Sequence, residues 1–288
     1  MLGMPWPLPW PFDTTYMQLA LIAGVAVGAS APLIGTFLVQ KRLSLIGDGI
    51  GHVAVAGVGA GLLFGTSPVW TALVVAVVAA LALEWLRSRA RTSGDLALAL
   101  FFYGGIAAGV VLAGRSTTNA NLQPYLFGSI LTVTENDAYT VVGLGALIVL
   151  AIAVTWRAMV AISLDEEAAR VAGIPVGALN ALLAALTAVT VAAAMRVTGV
   201  LLIAALMVLP VATGRVVARS FRATTVGAAA VGVVAVVLGL AAARQWALAA
   251  GGAIVLATLA LFVVASLAAP LRRASAPDDA SSLLSGPG

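Results

Sequence analysis

The 288-residue chain has one histidine, His52, and it follows Asp48 by four residues in Gly47-Asp48-Gly49-Ile50-Gly51-His52. On a helix that offset stacks carboxylate and imidazole on one face, one turn apart, so that an oxygen and a nitrogen can reach the same cation. Carboxylate and imidazole together suit zinc, manganese or iron and do not select among them. Two ligands also make an incomplete shell, which fits an ion that must leave again better than it fits a structural metal. The competing readings are a packing histidine bonded to a backbone carbonyl, and an Asp48 that caps a helix or pairs with Lys41 or Arg42.

Other reactive chemistry is thinly represented. With no cysteine in the chain there is no disulfide framework and no thiolate site, which leaves only oxygen and nitrogen ligands. A single histidine rules out the H-E-x-x-H constellation of a metalloprotease. No G-x-x-x-x-G-K-[ST] phosphate loop occurs, and Lys41, the only lysine, follows no glycine-rich loop. The chain itself is therefore not expected to hydrolyse ATP.

The segments that must position Asp48 and His52 are apolar. Hydrophobic residues make up 62%, charged residues only 9%, and mean hydropathy is +1.10, values that place the chain among polytopic membrane proteins. Unbroken runs such as Ala72 to Leu83 lack the period-2 alternation of a membrane β-barrel, so the spans are helices. They are expected near 16–39, 44–65, 69–86, 96–114, 137–156, 178–197, 199–217, 224–243 and 247–269. That makes nine, or eight if the 178–217 region is merged or one segment is re-entrant. The predicted fold is thus an all-α bundle of eight or nine transmembrane helices with a short cytoplasmic helix.

Twelve of the fifteen Lys and Arg residues fall in or beside alternate connections, around Lys41/Arg42, Arg87 to Arg91, Arg157/Arg170, Arg215 to Arg222 and Arg272/Arg273. By the positive-inside rule these lie on the cytoplasmic side, and nine spans then put the N-terminus outside. The pI near 10.1 reflects that topology and lipid contact, not nucleic-acid binding. Residues 1–15 read as an interfacial lead-in with Trp6, Trp10 and Phe12 at headgroup depth and no basic n-region of a signal peptide. Residues 16–270 form the membrane domain, and 271–288 a polar cytoplasmic tail whose Ser, Pro, Asp and Gly content predicts disorder.

Glycines at 47, 49, 51, 57, 59 and 61 crowd the second span, which predicts a helix closely approached by others inside the bundle. Pro32 and Pro210 lie within spans and can kink them beside a cavity. Between Arg115 and Asp137 a polar outer segment with Asn119, Asn121 and Gln123 leads into Tyr125-Leu126-Phe127-Gly128, a short interfacial helix or part of an outer gate. On the inner side, Ser163 is the candidate cap of a short helix with Glu166 at capping-box spacing, acids in its first turn, and Gly173 and Pro175 at its end. Its small residues Ala168, Ala169 and Ala172 offer a face for a groove on a partner.

Leu38 to Gly61 (LVQKRLSLIGDGIGHVAVAGVGAG) resembles the run in permease subunits of the zinc/manganese/iron ATP-binding-cassette importers that reads basic pair, Gly-Asp, Ser-His, Gly. Tyr125 to Gly128 followed by Thr132-Val133-Thr134 is similar to their extracytoplasmic helix region. Asp165-Glu166-Glu167-Ala168 through Gly173 is similar to their coupling helix, and Val197 to Leu202 through Pro210-Val211-Ala212 to their late Gly-to-Pro-Ala span. The four matches keep the family's order. Departures are Gly51, where serine is common, and Tyr103-Gly104, where some zinc-type members have His-Ser.

The resemblance implies a multi-pass permease of the prokaryotic inner membrane. It implies no permanently bound cofactor, a divalent metal as cargo, and ATP on a separate cytoplasmic ATPase. An extracytoplasmic metal-binding protein and a second permease copy complete the assembly. It places the metal path on Asp48 and His52 and the ATPase contact on Asp165, Glu166, Glu167, Ala168, Arg170 and Gly173. Tyr103, Tyr125, Phe127 and Pro210 become candidates for gate or path, with Tyr103, water or a symmetry mate completing the metal shell. The alternatives from other classes are a secondary cation transporter or channel that uses Asp48 as a proton-linked carboxylate, and a purely structural membrane subunit.

Overall fold

A computed structural model describes residues 9–89, 94–115, 122–129, 133–200 and 202–274. Among these the chain is helical, with α1 (Thr15–Gln40), α2 (Ile46–Leu63), α3 (Pro68–Arg89), α4 (Gly94–Gly114), α5 (Gln123–Phe127) and α6 (Glu135–Leu164). It continues through α7 (Glu166–Val171), α8 (Val176–Ala194), α9 (Ile203–Val217), α10 (Phe221–Trp246) and α11 (Ala250–Ala274). Eight of the helices are long and apolar enough to cross a membrane. The exceptions are α5, α7 and α9.

Helix α9 has 15 residues, about 22 Å at 1.5 Å per residue, which is short of a hydrocarbon core of about 30 Å. Its outer part is replaced by residues 195–200 and 202, which are not helical. The expected spans 178–197 and 199–217 are therefore corrected to a helical hairpin broken at its tip. Hydropathy missed the break because Val197, Val200 and Leu202 are as apolar as the helices beside them. Irregular backbone is tolerated at membrane depth only where protein encloses it. Met195, Val197, Thr198 and Val200 are all at most 1% exposed.

Ion pairs align the helix ends. Arg244 at the end of α10 meets Asp13 before α1 at 2.9 Å, and Arg196 after α8 meets Asp137 in the first turn of α6 at 3.4 Å. At the opposite ends, Lys41 meets Glu166 at 3.0 Å and Arg215 donates to Gln40 at 2.7 Å. Counting α9, the described helices alternate direction through nine passes, with the start of α1 and the end of α11 on opposite sides.

Local chemistry explains the helix starts. Thr134 and Asp137 form a capping box at α6, each side chain engaging the other's backbone, and the Ser220 hydroxyl accepts from Ala223 N–H at α10. The inner short helix is capped by Asp165, whose Oδ1 accepts from Glu167 and Ala168 N–H at 3.0 and 2.9 Å. Ser163 is not the cap: it lies in the last turn of α6, and its hydroxyl donates to the Met159 carbonyl at 2.7 Å. Helix α6 simply extends well past 156, and the carboxylate at the chain reversal outcompetes the upstream hydroxyl. Gly173 ends the segment at φ +80, in the left-handed region.

Helix α2 is enclosed as its glycines predict. Gly57 abuts Ala72 of α3 and Gly59 the Gly109 carbonyl of α4. By contrast α4 presents an exposed face with Leu100, Val110 and Val111. At α1, Thr36 donates to the Pro32 carbonyl at 2.8 Å, and Pro210 is buried inside α9. Trp6, Asn119, Asn121, Thr132 and the 275–288 part of the tail lie outside the described residues.

Candidate functional site

Asp48 lies in the first turn of α2 and His52 one turn on, so helical geometry brings the two side chains together. His52 Nε2 is 3.6 Å from Asp48 Oδ1, too far for a hydrogen bond but close enough to share a cation. The imidazole is 10% exposed and the carboxylate 33%, so the pair is open on the aspartate side and closed on the histidine side. His52 Nδ1 is buried and finds no hydrogen-bond partner. The backbone-carbonyl alternative for His52 is thereby removed. Asp48 likewise forms no pair with Lys41, whose ammonium is committed to Glu166 and Asn180.

Packing holds the imidazole instead of hydrogen bonds. Phe102 of α4 lies against it with ring centroids 3.9 Å apart, tilted by 58°. That approach requires Gly105, where a Cβ would stand 2.7 Å from His52 and Val53 backbone atoms. Tyr103 contacts Phe102 edge-on at 5.3 Å and is 71% exposed, so it reaches the pair only through Phe102. Among the described residues no third His, Asp or Glu joins Asp48 and His52.

The broken tip of the α8–α9 hairpin lies beside this level of α2: a Cβ on Gly51 would stand 3.0 Å from the Val200 carbonyl. The tip is fastened to the segment after α4. Val200 N–H donates to the Tyr125 carbonyl at 2.9 Å, and Ser129 N–H to the Arg196 carbonyl at 3.2 Å. Gly128 and Gly199 face each other across this contact at φ +73 and +80, and a Cβ on Gly199 would run into the Leu126 carbonyl. The Arg196 guanidinium stands 5.0 Å over the Tyr125 ring and opposite Asp137, a charge pair without hydrogen-bond alignment at Nε. The Phe127 carbonyl lies against Gly251 of α11. Tyr125 and Phe127 are thus brought to the broken tip, while Pro210 lies farther along α9.

On the inner side, Glu167, Ala168, Val171 and Gly173 are exposed, and Arg170 reaches Glu166 at 3.4 Å. Ala169 is only 4% exposed and belongs to the core, so the small-residue face is formed by Ala168 and Ala172 alone. Burial alone would raise the Glu166 carboxyl. The hydrogen bond and charge of Lys41, with Asn180 and Arg170, outweigh it and hold the group below the ordinary carboxylate range.

Sequence reasoning missed the Lys41, Asn180 and Glu166 cluster. Its signal was a lone lysine and an isolated asparagine in an apolar run.

A profile of the ABC 3 transport family matches residues 13–269, nearly the whole membrane domain. The chain belongs to this family. It is 30% identical over 258 residues to the manganese import system permease protein ScaB of Streptococcus parasanguinis, covering 90% of this chain and 92% of the relative. It is also 30% identical over 257 residues to the manganese transport system membrane protein MntC of Halalkalibacterium halodurans, covering 89% and 88%. PsaBC from Streptococcus pneumoniae, solved in complex with Fab, superposes with a TM-score of 0.82 at 30% identity, covering 91% of this chain and 94% of that one. As a member of the ABC 3 transport family the protein is a multi-pass permease subunit of the inner membrane, and the ATPase of such an importer is a separate chain.

Proposed function

We propose that this permease imports a divalent transition metal, with manganese as the first candidate among Mn, Zn and Fe, and that the metal passes Asp48 and His52. The observation that carries the reading is a largely buried imidazole whose Nε2 stands 3.6 Å from Asp48 Oδ1, beyond hydrogen-bond reach and within reach of a shared cation. A cation about 2.1 Å from each ligand atom would subtend about 110–120° across that gap, so both can bind it without rearrangement. The names of the ScaB and MntC relatives favour manganese as cargo.

In this reading Glu166, Glu167, Ala168 and Arg170, with Asp165 and Gly173 fixing the ends of their helix, meet a cytoplasmic ATPase. A metal-binding protein delivers the ion outside, and a second permease copy completes the pore. ATP-driven movement at α7 alternates access to the pair, the tip held by Tyr125 and Phe127 forming the outer gate. No metal stays bound as a cofactor.

The test is metal accumulation by elemental analysis in cells expressing the permease with its ATPase and binding protein. Asp48→Ala and His52→Ala are expected to lower uptake of one metal at least about tenfold at equal membrane abundance. Unchanged uptake in both removes the pair from the mechanism. Gradient-driven flux through purified permease alone would instead support a secondary transporter.

A further inference from the structure

Lys41 occupies an unusual position for a lysine. Its side chain is 7% exposed, and its ammonium lies 3.0 Å from Glu166 Oε2 and 2.6 Å from Asn180 Oδ1. Asn180 in turn donates to Glu166 Oε1 at 3.4 Å, closing a triangle. Glu84 of α3 lies within the field of both Lys41 and Glu166 and pairs with Arg87 at 3.0 Å. The end of α1, the first turn of α7 and the first half of α8 therefore meet at a single buried ammonium.

The turn that leads from Lys41 into α2 is tied by successive backbone hydrogen bonds. Lys41 and Arg42 N–H donate to the Phe37 and Val39 carbonyls at 3.0 and 3.2 Å, and Leu43 N–H to Leu38 at 2.8 Å. Arg42 reverses the chain at φ 59, and Ile46 and Gly49 N–H donate back to Leu43 and Leu45 at 3.0 Å each. A hydrogen-bonded turn thus joins Lys41 to the first turn of α2, where Asp48 stands. Moving α7 alone would strand a buried ammonium without its carboxylate, which is strongly unfavourable. Moving α7 together with the 41–45 turn preserves the pair and shifts the base of α2.

We infer that Lys41 is a positioning residue that links α7 to Asp48 and His52, so that what binds at α7 changes the affinity of the metal pair. The inference rests on the proposed metal path and ATPase contact. By linkage, a device of this kind makes metal affinity depend on nucleotide, and couplings between such sites typically amount to about 5- to 150-fold.

The experiment uses the tag-free permease with its ATPase in nanodiscs, titrated with Mn²⁺ alone, with and without a non-hydrolysable ATP analogue. Binding is read from the electron paramagnetic resonance of free Mn²⁺. In wild type, nucleotide is expected to change the Asp48-dependent affinity by about tenfold. Lys41→Met should leave the nucleotide-free affinity within about twofold while reducing the nucleotide effect below about twofold, and Lys41→Arg should restore part of it. Asn180→Ala keeps the ion pair but removes the α8 arm, and should reduce the effect about threefold, which decides the matter if Lys41→Met fails to assemble. A full nucleotide effect in Lys41→Met, or in Asn180→Ala where that variant decides, overturns the link. Wild-type binding that is indifferent to Asp48→Ala overturns the metal path, and the link with it.

Discussion

The two ends of the bundle are fastened by different chemistry. Outside, the α8–α9 tip is joined to α5 mainly through backbone: Val200 to Tyr125, Ser129 to Arg196, and Gly128 against Gly199. Inside, α7 is joined through side chains, with Lys41, Glu166 and Asn180 bridging α1, α7 and α8. Backbone hydrogen bonds flanking two close-packed glycines have one geometry and open only if whole segments separate. A side-chain cluster around one ammonium can move with its partners and respond to charge. The outer end is therefore suited to a seal and the inner end to a transmitted movement.

The sharpest way to break this contrast is to add a side chain to the outer contact. Gly199→Val places a β-branched residue at φ +80 and its Cβ against the Leu126 carbonyl. Backbone strain and overpacking together should cost about 3 kcal/mol or more. A large fall in the detergent melting temperature, with Mn²⁺ leak into liposomes, is the expected result. A stable, tight Gly199→Val protein would mean that the outer contact is not a backbone lock.

A smaller effect is expected from the charges that support the same end. Asp137→Asn loses the charge opposite Arg196 and weakens the bonds its carboxylate accepts from Thr134 N–H and hydroxyl, together about 2 kcal/mol for a partly exposed pair. Thermal denaturation should show this loss without leak, since the backbone contacts remain. Leak as large as that of Gly199→Val would shift the seal from backbone to charge.

The smallest effect concerns the inner end and pH. Because the folded state holds the Glu166 carboxyl below its ordinary value, its contribution to stability is present above the unfolded pKa and is lost as pH falls through the folded one. Glu166→Gln should therefore narrow the difference in melting temperature between neutral and mildly acidic pH. The change should correspond to less than about 1 kcal/mol, given a partly exposed carboxylate screened by solvent. A pH response equal to wild type would remove Glu166 from the inner cluster's electrostatics.

The scaffold and the juxtaposition of Asp48 with His52 were readable in the sequence because both depend on short-range spacing. Apolar length marked the spans, glycine density marked α2 as an enclosed helix, and the offset of four placed Asp48 beside His52. The features that stayed hidden depend on contacts between distant segments. The break at 195–200 and 202 is invisible to hydropathy, since its apolar residues are buried by α1, α2, α11 and the α5 segment instead of by lipid. The capping role passed from Ser163 to Asp165 because α6 runs on to Leu164, which is decided by tertiary packing. Lys41 and Asn180, 139 positions apart, carry no local pattern that predicts their meeting.

The central claim is that metal contacts the Asp48/His52 pair, and the single histidine of this chain allows a direct measurement. Electron spin-echo envelope modulation of Mn²⁺ bound to tag-free permease reports imidazole nitrogen at the metal, and only His52 can supply it. Contact at the pair predicts ¹⁴N coupling in wild type that disappears in His52→Ala, with Mn²⁺ affinity reduced in Asp48→Ala. Mn²⁺ bound to the wild-type protein without imidazole coupling would contradict it.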